Sequence, residues 1–263
     1  MAEEELFLRR EGHSATVVIN RPDQRNAITH DMWLRFPALL KEAEDEPDVR
    51  VVMITGAGDK AFSAGADIKD FEKTRSTPEL SRNYRHGVEA ACDALVGMTK
   101  PTSAVIRGFC IGGGFELSLH ADLRVGDDTT KLGLPAAKRG IVIGHAFLSR
   151  LEHLAGAANT SYILLSARML LAAESHNAGL LSSVVPAGEL DDYVAKLVDD
   201  IADASPISHR IHKGVIEDLI NYGSLDQVPD ERRALTMTAE ASEDFQEGVR
   251  SFMEKRKPRF SGR

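Results

Sequence analysis

Apolar positions fall along this chain in two regimes. Through about residue 144, short apolar runs alternate with helical stretches; beyond it the spacing is almost wholly helical. Residues 16–20 are short, β-branched and followed by Arg21-Pro22-Asp23, which predicts a strand running into a turn. Residues 31–46 predict a helix that Pro37 must kink or divide. The run Val51-Val52-Met53-Ile54, ended by Gly56-Ala57-Gly58, predicts a strand buried on both faces. Residues 78–98 carry Val88, Ala91, Leu95 and Met98 on one stripe of a long helix that Lys100-Pro101 stops. Strands follow at 102–107 and 123–126, separated by Gly112-Gly113-Gly114 and a helix over 115–121. Helices are then expected over 145–166, 172–179, 190–204, 207–222 and 242–257. This order predicts an α/β core followed by a helical C-terminal region.

The 263 residues suit one main core with appended helices, and 43% hydrophobic with 27% charged residues favours a packed globule over a disordered chain. A net charge of -8 argues against a general nucleic-acid surface, since duplex binding depends on cations neutralising phosphate. An anionic ligand would therefore need a local cationic patch. Two cysteines, Cys92 and Cys110, are too few for a disulfide scaffold or a four-cysteine zinc site, and point to a reducing cytoplasm. The acidic start, Met1 to Glu5, lacks the order of a secretory signal, and no apolar run reaches membrane-spanning length, so no membrane partner is expected. The nine histidines show no metal-ligand spacing, and no metal is expected.

Two glycine- and alanine-rich bends carry the candidate chemistry. Gly56-Ala57-Gly58-Asp59-Lys60-Ala61 spells a dinucleotide fingerprint, but that motif needs a helix starting at once, and Gly65 follows too soon. In the string Ser63-Ala64-Gly65-Ala66-Asp67-Ile68-Lys69, small residues instead let a ligand approach the backbone and leave amide donors exposed. Gly112-Gly113-Gly114 at a helix start leaves unpaired N–H groups on an electropositive terminus, with Glu116 in the first turn.

These two strings, with Asn20-Arg21-Pro22-Asp23-Gln24-Arg25-Asn26-Ala27, Lys100-Pro101 and the ending Phe252-Met253-Glu254-Lys255-Arg256-Lys257-Pro258, occur in the order seen in the crotonase, or enoyl-CoA hydratase/isomerase, superfamily. The chain resembles that superfamily over nearly its whole length. The resemblance implies a spiral of ββα units over 1–200 that binds acyl-CoA, and a helical oligomerisation region over 201–263 that packs homotrimers or hexamers. It further implies that the amides of Ala66 and Gly113 form an oxyanion hole for the thioester oxygen, with Glu116 as acid or base. Coenzyme A contacts would fall at Arg25, Ala64, Asp67 and Ile68, with Phe252 and Lys255 reaching the nucleotide of a neighbouring subunit. Coenzyme A enters as part of the substrate, and no permanently bound cofactor is implied.

One position departs from the pattern. Family hydratases commonly use two glutamates, and the second would follow the proline of Leu134-Pro135-Ala136, where this chain has Ala136. Glu89, on the helix before the central strand, is the preferred substitute; His86 lies on the same face. His120, four residues after Glu116, is placed to hydrogen-bond it, and His145 opens the next helix. Cys110 lies in an apolar stretch and reads as a core residue rather than a nucleophile. The leading expectation is an enoyl-CoA hydratase-type lyase. The alternatives are an isomerase or acyl-CoA decarboxylase of the same superfamily, or a CoA-binding scaffold in which catalysis has lapsed.

Overall fold

The computed structural model describes residues 4–263, so the first part of the acidic start, Met1 to Glu3, lies outside the described residues. The strands are β1 (Leu6–Glu11), β2 (Ser14–Ile19), β3 (Val51–Gly56), β4 (Ala61–Ser63), β5 (Thr102–Ile106), β6 (Phe109–Ile111), β7 (Leu123–Asp127), β8 (Lys131–Gly133), β9 (Met169–Leu171) and β10 (Ser183–Val185). The helices are α1 (His30–Asp45), α2 (Phe71–Thr74), α3 (Pro78–Val96), α4 (Gly113–Leu119), α5 (His145–Ser166), α6 (Ala172–Asn177), α7 (Leu190–Ala202), α8 (Pro206–Asn221), α9 (Asp230–Thr238) and α10 (Glu243–Met253).

Successive strands are dealt to two sheets. The larger has the order β1-β2-β3-β5-β7-β10 and the smaller β4-β6-β8-β9. The β1–β2 hairpin and the β8–β9 pair are antiparallel, and the other pairings are parallel. From β3 to β8 each turn of chain lays one strand in each sheet, then crosses back through helix; repeating that step generates a spiral of ββα units. Strands β2 and β5 are buried along their whole length, their small hydroxyl residues Ser14, Thr16, Thr102 and Ser103 included. Trp33, Phe36, Phe62, Phe115 and Phe147 fill the core that the helices close over the sheets.

Several boundaries differ from the sequence expectation. Helix α1 runs on as one element across Pro37, whose missing N–H removes a single internal bond while Thr29 caps its start and Met32, Trp33, Phe36 and Leu40 bury one face. The expected helix over 145–166 is interrupted at Gly156, which holds φ 74° and ψ 161° inside it. Helix α10 stops at Met253, leaving Lys255 in a left-handed turn. The smaller sheet is absent from the sequence reading, because its strands are three residues long and show no period. No helix of the described residues is long and apolar enough to cross a membrane.

Candidate active site

The bend after β4 spends nearly all of its amides on the fold. Ala64 N–H donates to the Arg25 carbonyl (2.9 Å), Gly65 N–H to Ser63 Oγ (3.1 Å) and Asp67 N–H to the Ile28 carbonyl (2.9 Å). Ile28 N–H in turn reaches the Gly65 carbonyl at 2.8 Å, making a parallel bridge between Ile28 and Ala66. Such a bridge uses the groups on either side of Ala66 and turns the Ala66 N–H away. Ala66 N–H has no acceptor among the described residues, and Ala66 itself is half-buried.

The bend after β6 leaves a second free donor. Gly112 N–H is held by the Gly133 carbonyl (3.0 Å), and Gly112 adopts φ 55° and ψ -124°, a conformation open to glycine. Gly113 is the first residue of α4, so its N–H has no partner within the helix.

The two bends meet backbone to backbone. A Cβ added at Gly113 would stand 3.7 Å from the Ala66 nitrogen. One at Gly65 would stand 2.7 Å from the Ile111 carbonyl and 3.1 Å from the Gly113 nitrogen, and one at Gly114 would strike the Ser63 side chain at 2.6 Å. At Gly65 and Gly114 only a residue without a side chain allows this approach, which sets the Ala66 and Gly113 nitrogens near one another.

Glu116 lies in the first turn of α4, mostly enclosed. Burial pushes its carboxyl up to about 7, and the nearby Glu89 carboxylate adds to the effect. Such a group is poised both to accept and to release a proton near neutral pH. The folded chain holds this proton to about pH 7, whereas the ordinary value is 4.5. The associated stability is therefore whole below pH 4.5 and lost as pH rises through 7. Glu116→Gln is accordingly expected to be more stable than the parent at pH 8, by on the order of 1 to 3 kcal/mol. Urea midpoints measured at several pH values should show that difference closing toward pH 5.

The remaining candidates are scattered more widely. Glu89 and His86 are exposed on α3, and of the two Glu89 is the one whose charge acts on Glu116. Ala136 is half-buried in the short turn Pro135–Arg139 and packs on the core, where its methyl offers no proton. His120 corrects one expectation: its Nδ1 bonds the Glu116 backbone carbonyl at 2.8 Å rather than the carboxyl, and burial lowers its pKa. His145 is exposed at the start of α5. Cys110 is fully buried with Sγ 3.6 Å from Ser118 Oγ, and burial pushes the thiol up to about 12, which suppresses the thiolate.

The positions expected to meet coenzyme A divide into two groups. Arg25 is exposed, holds a left-handed backbone and sets its guanidinium 5.3 Å from the Phe109 ring centroid, with Lys131 Nζ at the same distance. With Lys60 and Arg107 these residues line a cleft of about 620 Å³, a local cationic patch on a net-acidic chain. Ala64 is half-buried and Ile68 exposed beside the Ala66 amide. The Asp67 carboxylate is committed to Arg21 (2.9 Å) and the Lys69 amide (3.0 Å); burial opposes its ionisation, but these partners outweigh it and lower the pKa. Phe252, 82% exposed, lies in a separate apolar cleft of about 510 Å³ with Phe245, Val249 and Met253, and Lys255 follows it. Within one chain these two are not part of the Arg25 cleft.

Two side chains beside the site have no counterpart in the sequence reading. Trp33 packs against Gly113, and its Nε1–H donates to Tyr84 Oη at 3.0 Å. The one available signal was that Trp33 is the only tryptophan in the chain.

The sequence profile of the enoyl-CoA hydratase/isomerase family matches residues 10–263. The chain is 32% identical to the crotonyl-CoA hydratase of Syntrophomonas wolfei, covering 99% of each protein. Among solved structures it resembles an enoyl-CoA hydratase/carnithine racemase from Magnetospirillum magneticum, with a TM-score of 0.94, 32% identity and coverage of 100% and 97% of the two chains. It also resembles an enoyl-CoA hydratase from Bacillus anthracis, with a TM-score of 0.92, 28% identity and coverage of 99% and 100%.

Proposed function

Because the chain belongs to the enoyl-CoA hydratase/isomerase family, we propose that it is a hydratase-type lyase that binds an acyl-CoA and stabilises the enolate formed at its thioester. The observation that carries this reading is the meeting of the Ala66 and Gly113 amides one helical turn from Glu116. With the thioester oxygen between the two N–H groups, charge moving onto it in the transition state is met by dipoles already in place. In hydration, Glu116 takes a proton from water as the water oxygen bonds to the β-carbon, and the electron pair of the double bond passes through the α-carbon to the thioester oxygen. Return of the proton to the α-carbon completes the addition, and a carboxyl near pKa 7 suits both steps. Glu89, Arg25, Ala64, Asp67 and Ile68 are assigned supporting roles: Glu89 sustains the raised pKa of Glu116, and the others hold the coenzyme A end of the substrate.

Ala136 favours a second reading. Moving a double bond needs one carboxylate, which takes a proton from the α-carbon and returns it at the γ-carbon, and decarboxylation needs only the oxyanion hole. Crotonyl-CoA, a 3-enoyl-CoA and methylmalonyl-CoA assayed side by side separate these reactions; turnover of crotonyl-CoA alone supports hydration, and turnover of none supports a lapsed CoA-binding scaffold. Ala136→Glu is expected to raise crotonyl-CoA hydration by about 10-fold or more by supplying a second proton-transfer group. A rate of hydration that does not change in this variant would remove Ala136 as the reason for a departure from hydratase chemistry.

We also assign the exposed apolar face of α10, with Phe245, Val249, Phe252 and Met253, to contact between copies in a homotrimer or a pair of trimers. On this assignment 1–200 is the acyl-CoA core and 201–263 the oligomerisation region, and Phe252 and Lys255 serve a neighbouring subunit's nucleotide.

A further inference from the structure

The amide pair has a support that the reaction scheme does not use. Trp33 on α1 is fully buried, and a Cβ on Gly113 would lie 3.0 Å from its Cζ2. The indole edge is thus the surface on which the Gly113 backbone rests. The indole is itself fixed by the bond from Nε1–H to Tyr84 Oη, 3.0 Å long and buried. Tyr84 comes from α3 and is gripped on several sides. Its ring stacks on His30 (5.4 Å), meets the edge of Phe71 (6.1 Å) and lies 5.1 Å from the Arg75 guanidinium.

These grips lead back to the other bend. Phe71 opens α2 directly after the strip that begins at Ala66, and the Asp70 carboxylate in that strip accepts the His30 N–H at 2.8 Å. One set of contacts therefore runs from the segment bearing Ala66, through Tyr84 and Trp33, to the backbone of Gly113. A buried tryptophan needs a partner for its N–H in any core. What sets this one apart is that its ring touches the residue whose amide is a donor of the site.

We propose that Trp33 and Tyr84 are positioning residues, a brace that holds the Gly113 amide at a fixed separation from the Ala66 amide and so sets how strongly the two polarise a thioester carbonyl. The proposal rests on the acyl-CoA reading above. Loss of one oxyanion donor costs about 10²–10³ in rate, so a donor displaced but not removed should cost about 10-fold.

Tyr84→Phe keeps the ring and deletes the hydroxyl, and the probe is 2,4-hexadienoyl-CoA, whose absorption moves to the red as its carbonyl is polarised. The parent protein is expected to shift that band on binding. Tyr84→Phe should bind free CoA and the probe within about 2-fold of the parent, shift the band less, and lose about 10-fold in kcat at nearly constant KM. A full red shift with unchanged kcat overturns the brace while leaving the acyl-CoA reading intact. Absence of any shift in the parent, together with no turnover, removes that reading and the brace with it. A second measurement does not depend on the variant folding. Because Trp33 is the only indole, its emission in the parent should respond to butyryl-CoA and not to free CoA, and an emission indifferent to the thioester also overturns the brace.

Discussion

Glu116→Gln is expected to lower kcat by about 10²–10⁴-fold while leaving acyl-CoA affinity nearly unchanged. The amide matches the carboxyl in size, so the first turn of α4 and the adjacent Gly113 keep their places; what disappears is a group that gains and loses a proton near pH 7. The two backbone donors remain, and binding that depends on them and on the coenzyme A end of the ligand should persist. The pH profile carries the same assignment. A carboxylate acting as base must be ionised, so kcat/KM in the parent should rise through about pH 7, where burial and Glu89 place Glu116. Glu89→Gln should move that limb toward lower pH, because it removes a negative charge that opposes ionisation. Unchanged turnover in Glu116→Gln would defeat the assignment of Glu116, and with it the single-carboxyl account of both hydration and isomerisation.

Gly65→Ala is expected to damage both activity and stability, through one methyl group. Gly65 holds φ 90°, in the left-handed region that an alanine adopts only under strain. The added Cβ would stand 2.7 Å from the Ile111 carbonyl, which belongs to the backbone of β6 and has no room to yield. The two bends must then separate, carrying the Ala66 amide away from that of Gly113. We expect turnover to fall by about 10²–10³-fold and unfolding free energy by about 2–4 kcal/mol. Steady-state kinetics with urea titration measures both. Gly144→Ala serves as the control: Gly144 has φ -79° and nothing within 4 Å of an added Cβ, and neither quantity should change much. Parent-like turnover in Gly65→Ala would show that the approach of the two bends is not what the chemistry needs.

The reach of sequence reasoning differs between the two halves of this site. The bends were legible as bends because runs of glycine and alanine such as Gly112-Gly113-Gly114 and Ala64-Gly65-Ala66 leave the backbone free of bulky side chains and open to close approach. Glu116 as acid or base, and the acid absent at Ala136, came only from the resemblance to the superfamily, whose pattern fixes those positions relative to the bends and to Pro135. His120 was placed on the right face but given the wrong acceptor, since spacing of four residues brings a side chain equally near the preceding carboxyl and the preceding carbonyl. Trp33 and Tyr84 were not legible as a pair, because they sit on different helices and nothing in either helix's periodicity encodes its partner.

By itself, then, the chain specified its long elements and the places where its backbone turns, since an apolar stripe of ten or more residues and a glycine able to hold a positive φ are local consequences of composition. Tertiary structure alone decided the smaller sheet, whose three-residue strands β4, β6, β8 and β9 form only because neighbours supply their hydrogen bonds. It alone decided the raised pKa of Glu116, which depends on enclosure and on a carboxylate from another helix. The contact of Trp33 with Gly113 and the spacing of the two amides belong with these, because each is set by packing between segments far apart in the chain, where distance in sequence carries no information about distance in space.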